Sequence, residues 1–196
     1  GEELDPFTAV ARIELEVECV GALRATTPLF ADDMIASLKE HKGVVTKVVI
    51  RKNDSEIVSA SADGSCITWA LAGMQSFTRQ NALFAANFFK SVAYHPDESQ
   101  LLTCGTDRKI TYWDVANMQA IRVIDGSETA EINALHLNAD GKFMVWGGAD
   151  KTLRIGNYDE GSTYYEGVGH AGALTAVRIS PDEARITSPG TEGGIF

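Results

Sequence analysis

Cysteine is scarce in this 196-residue chain: Cys19, Cys66 and Cys104 are the three, widely spaced and without a CxxC pair. That pattern argues against a disulfide framework or a zinc ribbon and fits reduced thiols inside a cell. Long hydrophobic runs are missing too. None approaches the roughly 20 apolar residues that a membrane-spanning helix needs, so a membrane is not an expected partner. The first residues carry neither the basic nor the apolar segment of a secretory signal. Positive charge is short: 17 Lys plus Arg against 27 Asp plus Glu give a formal charge of −10. Such a chain repels polyanions at long range, so nucleic acid is not an expected partner either.

The signatures of common chemistry are equally thin. Gly147-Gly148-Ala149-Asp150-Lys151-Thr152 imitates only the end of a phosphate-binding loop, without its spacing or a following helix. His41, His95, His136 and His170 lie far apart and no HExxH occurs, so no metal site is expected. His95-Pro96-Asp97-Glu98-Ser99 holds the residue types of a catalytic triad, but inside one tight turn they do not converge on a substrate atom. No catalytic residue and no cofactor is expected.

What the chain does have is a period. Asp63, Asp107, Asp150 and Glu192 are 44, 43 and 42 residues apart, and setting them in register aligns their surroundings. SASADGSCITW at 59–69 falls on TCGTDRKITYW at 103–113, WGGADKTLRIG at 146–156 and SPGTEGGIF at 188–196. Upstream, apolar columns line up: Val45, Phe89, Ile132, Leu174; then Val48, Val92, Leu135, Val177; then Ile50, Tyr94, Leu137, Ile179. Each run is followed by a polar turn of Asn, Asp, Pro or Gly, and period-2 alternation reappears after each acid. Four short antiparallel strands per unit of about 40–45 residues is the pattern of one β-propeller blade.

At these residues the chain resembles the WD40-repeat family. That family's blades carry a His before the first strand, a Ser or Thr on the second, an Asp in the next turn, and Trp-Asp closing the third. The unit at 39–83 has His41, Ser59, Asp63 and Trp69, with Ala70 in place of the final Asp. The unit at 84–127 has Thr103, Asp107, Trp113 and Asp114, with Ala85 at the His position. The unit at 128–167 keeps Asp150, with Glu128 for the His and Gly156 for the Trp. The unit at 168–196 has His170, Ser188 and Glu192 and breaks off in its third strand. The resemblance implies an all-β WD40 β-propeller, partial, of about four to five blades, whose acid, hydroxyl, imidazole and indole form a bracing hydrogen-bonded chain. Where the imidazole is missing, Asp107 and Asp150 are expected to accept from main-chain N–H groups or water. Residues 1–38 read as a divergent blade or an N-terminal extension, and the chain as a piece of a longer protein.

Several stretches are more specific than the repeat itself. HKGVVTKV at 41–48, YHPDESQLLTCGTDRKITYWDV at 94–115, YDEGSTYYEGVGHAGALTAVRISP at 158–181 and TEGGI at 191–195 resemble the WD40 proteins of motile cilia, with departures at Ala70, Gly156 and Pro189. That likeness implies a non-enzymatic scaffold in the cytoskeleton of the cilium or flagellum, inside the doublet microtubule of the axoneme. Its implied partners are tubulin and neighbouring axonemal proteins. The alternative is a soluble WD40 adaptor in a signalling or ubiquitin-ligase complex. Two places suit partner binding. Phe84 and Phe88 are surplus to the core columns and either anchor a partner or, for Phe84, pack on its own blade. Arg108-Lys109 is a basic turn on an acidic protein, either meeting an acidic partner or merely solvated.

Overall fold

A computed structural model describes residues 38–72 and 76–196; the divergent blade or N-terminal extension expected at 1–38 lies outside the described residues except for Leu38. Every regular element among the described residues is a strand. β1 (Val45–Ile50), β2 (Glu56–Ser61), β3 (Ser65–Ala72) and β4 (Ser76–Phe84) form one antiparallel sheet. β5 (Phe89–Tyr94), β6 (Gln100–Gly105), β7 (Lys109–Asp114) and β8 (Gln119–Asp125) form the second. β9 (Ile132–Leu137), β10 (Phe143–Gly148), β11 (Thr152–Asn157) and β12 (Thr163–Val168) form the third. β13 (Arg178–Ile179) and β14 (Ile186–Thr187) begin a fourth, extended by bridges from Leu174 to Gly190 and Pro189 to Ile195. Spatial order equals chain order in each sheet, so each is a meander and the whole is a partial propeller.

The turns explain why the units repeat so closely. All ten residues with positive φ among those described fall in three columns. Asp54, Glu98, Gly141 and Glu183 occupy the turn between first and second strands. Gly64, Arg108, Lys151 and Gly193 each follow the repeat's acid. Met118 and Gly161 sit between third and fourth strands. Left-handed backbone costs an L side chain about 1–2 kcal/mol, so the six non-glycine occupants show that the turn shape dominates the local preference. Bulges repeat as well. The first strand of each full blade skips one residue against the second, at Thr46, Lys90 and Asn133.

Among the described residues, three of the four buried clusters lie between blades; the fourth gathers Val48, Ile57, Ile67 and Trp69 of the first blade alone. Val58, Ala60, Cys66 and Leu83 of the first blade pack against Phe89, Val92 and Leu101 of the second. Leu102, Cys104, Ile110 and Tyr112 of the second pack against Ile132, Leu135, Met144 and Trp146 of the third. Ala134 and Val145 then meet Leu174 and Val177. Neighbours Leu101 and Leu102 serve different interfaces because successive side chains of a strand point to opposite faces. Full burial of each contributes roughly 2 kcal/mol.

Polar side chains stitch the same seams. The bulge residues reach the next blade: Thr46 Oγ1 donates to the Phe89 carbonyl at 2.8 Å, Asn133 Nδ2 to the Leu174 carbonyl at 2.9 Å, and Lys90 pairs with Glu131 at 3.3 Å. At the opposite end the left-handed glutamates reach back. Glu98 accepts from the Lys52 N–H at 2.5 Å and from Arg51 Nε at 3.1 Å, and Glu183 accepts from the Ala139 N–H at 2.9 Å. The seam between has Pro96 in the column of Lys52 and Ala139, with no N–H to give, and Gly141 where the glutamate would be. A Cβ on Gly141 would strike the His95 ring, which packs on Tyr158 at 4.4 Å instead.

Candidate functional site

The first blade holds a complete polar chain whose direction follows from donor and acceptor chemistry. Ser65 Oγ lies 2.5 Å from Asp63 Oδ1, and a carboxylate only accepts, so the serine proton points at the acid. The serine oxygen therefore accepts from His41 Nδ1–H at 2.7 Å. His41 Nε2, left as an acceptor, takes the Ser59 hydroxyl proton at 2.7 Å, and Ser59 Oγ accepts from Trp69 Nε1 at 2.9 Å. Every member is satisfied with a neutral imidazole, and burial accordingly lowers the His41 pKa against the pull of Asp63. Burial alone would raise Asp63. Hydrogen bonds from Ser65 and from the Lys42 N–H outweigh it and hold that carboxyl at about 2.

The other blades build the same brace from different parts. In the fourth, His170 Nδ1 bonds Glu192 directly while Nε2 meets Ser188 Oγ at 2.8 Å. The Ser65 column holds Gly194 there, so the extra methylene of glutamate spans the gap that serine fills in the first blade. In the second, Trp113 Nε1 donates to Thr103 Oγ1 at 2.8 Å, and Asp107, with no imidazole, accepts from the Lys109 N–H at 3.2 Å. Asp114 accepts from the Ala116 N–H at 2.8 Å and closes the turn to β8. Asp150 keeps the expected main-chain bond and adds two side-chain partners. It takes Ser127 Oγ at 2.9 Å and Arg154 at 2.6 Å, with only a longer bond from the Thr152 N–H at 3.3 Å.

The third blade also relocates its indole. Trp146 stands in the column of Ser59 and Thr103, and its ring covers Gly156, where a Cβ would approach to 2.7 Å. Its Nε1 donates to the Gly126 carbonyl at 2.6 Å. Ser65, Ser127, Trp146, Arg154, Glu98 and Glu183 are thus bracing residues that a column-by-column sequence reading does not single out. The two thiols that are described, Cys66 and Cys104, are buried with raised pKa and unreactive. Among the described residues no three metal-ligating side chains come together.

The four residues proposed from sequence for partner binding lie on a loop and a turn that hydrogen bonds tie together. Phe84 ends β4 and is 71% exposed; Phe88 is 57% exposed, so neither is spent on its own blade. The loop between them wedges between two acid turns. Its Ala85 N–H donates to the Gly64 carbonyl at 2.9 Å, and a Cβ on Gly64 would approach the Ala85 carbonyl to 2.5 Å. On the other side the Phe88 N–H donates to Thr106 Oγ1 at 3.0 Å and the Thr106 N–H returns to the Phe88 carbonyl at 3.1 Å. That ties the aromatic pair to the turn carrying exposed Arg108 and Lys109. Arg108 also donates to the Glu128 carbonyl at 2.6 Å. A shallow axial groove of about 500 Å³, lined by first strands and including His136, Arg178 and Tyr94, opens toward the blades' inner edges.

Comparison with known proteins extends this picture. The model of the WD domain, G-beta repeat matches residues 33–70, 84–114 and 118–156, more than half of the chain. Over 161 residues, 82% of this chain, it is 56% identical to cilia- and flagella-associated protein 52 of Chlamydomonas reinhardtii, of which it covers 26%. The proteins of that name from Sus scrofa and Homo sapiens are 43% and 41% identical over the same share of the chain, which covers 25% of each. The chain thus spans about a quarter of the length of these curated relatives. With its meander sheets, recurring acid turns and indole braces, the chain belongs to the WD40-repeat family.

Proposed function

We propose that this chain is part of a non-enzymatic structural scaffold of the cilium or flagellum axoneme. In this reading it acts as a microtubule inner protein, binding tubulin and neighbouring axonemal proteins in the doublet lumen and stabilising the lattice. The observation that carries the reading is the 56% identity to a Chlamydomonas protein named for its association with cilia and flagella. Physical features support it. Blades locked by apolar seams and by polar clamps make a stiff platform, and stiffness suits a part that must hold a lattice rather than turn over a substrate. A formal charge of −10 is repelled by an acidic lattice at long range. Attachment therefore relies on local basic and aromatic loops and on many weak contacts acting together.

Tagging the full-length protein in a ciliated cell and washing isolated doublets with rising salt tests this directly. Retention on the doublets after high-salt washing is the expected result. Release in the first mild wash, with a diffuse cytosolic pool, overturns it in favour of a soluble WD40 adaptor.

A further inference from the structure

We propose that the surface formed by Phe84, Phe88, Arg108 and Lys109 docks an extended acidic protein segment carrying one large apolar side chain. The inference rests on the partner-binding reading above and supplies the chemistry of the partner. Three observations converge on this loop. The first is apolar: two phenylalanines stand more than half exposed within five residues, on a protein whose other large aromatic side chains beside this loop are buried, Phe89 completely. Exposed aromatics held by a rigid backbone anchor a partner at little entropic cost. The loop is rigid, clamped from both sides by main-chain bonds to Gly64 and Thr106.

The second is electrostatic. Despite the acidic chain, charges on this face are sorted by direction. The Asp63 carboxylate is spent on the Lys42 N–H and on Ser65, and Asp107 on the Lys109 N–H, so the acids turn inward. The cations turn outward: Lys42 on one flank of the aromatic loop and Arg108 and Lys109 on the other are all exposed. Two exposed acids, Asp125, opposite Lys109 across the β7–β8 pair, and Glu128, whose carbonyl accepts from Arg108, bound the patch and limit the acidic stretch to a short one. The third is an unmet bond. Asn87 Oδ1, between the two phenylalanines, is the one buried side-chain oxygen or nitrogen without a hydrogen-bond partner among the described residues. The residue itself is half-buried, and a buried carbonyl oxygen left without a donor costs free energy that a partner's N–H would recover.

Fluorescein-labelled peptides and the full-length protein test the proposal by anisotropy. The probes are a short Asp/Glu-rich peptide with a single Phe, the same peptide with Ser for Phe, and the same peptide with Lys for every acid. The acidic peptide with Phe is expected to bind, and either change to bind about tenfold more weakly or worse. Phe84→Ser with Phe88→Ser should lose affinity by a similar factor without altering the salt dependence. Arg108→Gly with Lys109→Ser keeps the left-handed turn and should remove both affinity and most of the salt dependence. Unchanged binding by variants that melt like the parent, equal binding of the lysine peptide, or no binding of the acidic peptide would each overturn it. Doublet retention is scored separately, so a surface that ignores acidic peptides on a protein that still resists salt washing sinks this inference alone.

Discussion

A single hydroxyl decides whether the brace of the first blade closes. Ser65 relays between His41 and Asp63, whereas Glu192 reaches His170 unaided. Ser65→Gly should therefore leave His41 Nδ1 only its longer 3.4 Å approach to Asp63 Oδ2 and cost about 1–2 kcal/mol, combining a lost hydrogen bond with glycine in a strand. Adding Asp63→Glu should recover about 1 kcal/mol by copying the fourth blade, and urea unfolding of the four proteins in the cycle measures it. No recovery would mean that the glutamate geometry belongs to the fourth blade alone. A second residue sets a pH dependence. His136 is held down to about 4 by burial, then by Arg178 and Lys47, and its Nδ1 accepts from the Ile179 N–H at 3.3 Å, a bond that protonation destroys. Its folded pKa lies below the ordinary 6.5, so on acidification the unfolded chain takes the proton first. Stability from this group is complete above pH 6.5, declines between 6.5 and about 4, and is flat below. Discounted for the ring's partial solvent contact, the loss is about 2 kcal/mol. Melting curves of His136→Gln should lack that decline; a parallel pH profile in the variant would assign it to other groups.

At the scale of the strand pair, the third blade moves its indole from β11 to β10 and leaves glycine behind. The exchange predicts strong coupling. Trp146→Ser alone opens a cavity and should cost about 3–5 kcal/mol, and Gly156→Trp alone crowds the ring already there. Together they recreate the Ser59 and Trp69 arrangement, and the double variant should be more stable than the sum of the singles by at least about 2 kcal/mol. Additive losses in a denaturation cycle would show that the two sites do not share one volume. The same pair marks the limit of what sequence could show. Strands, turns and the acid columns were legible because each keeps one residue type or one periodicity across four units. Trp146 was not, since a column holding Ser, Thr, Trp and Ser looks like an error until Gly156, diagonal to it on the neighbouring strand, is seen beneath its ring. The inter-blade clamps were hidden for a similar reason. Glu98 and Glu183 sit in a turn where polar residues are expected anyway, and only the left-handed backbone aims them at the previous blade. The exposure of Phe84 also needed coordinates, because a side chain at a strand end packs inward or outward according to its neighbours, not its own type.

For the molecule as a whole, placing most of the core between blades makes each sheet depend strongly on its neighbours. Stability then behaves as a chain of interfaces, each coupling two adjacent blades, in the manner of repeat proteins. Leu101 and Leu102 isolate the effect, being adjacent on β6, both fully buried, and committed to opposite seams. Replacing either with Ala should cost about 2–5 kcal/mol, so global unfolding will hardly distinguish them. Amide exchange should. Leu101→Ala weakens the seam between the first and second blades and should raise exchange most in β1–β3, leaving β9–β11 close to the parent. Leu102→Ala weakens the seam between the second and third and should reverse that order. The polar clamps differ in kind: the first seam keeps its Glu98 bonds to Lys52 and Arg51, while the second, with Pro96 and Gly141 in those columns, is held by Lys90 on Glu131 and by the Tyr158 hydroxyl on Gln100. Equal acceleration across all three sheets in both variants would show blades that open only as one unit, and the nearest-neighbour account of their stiffness would fall.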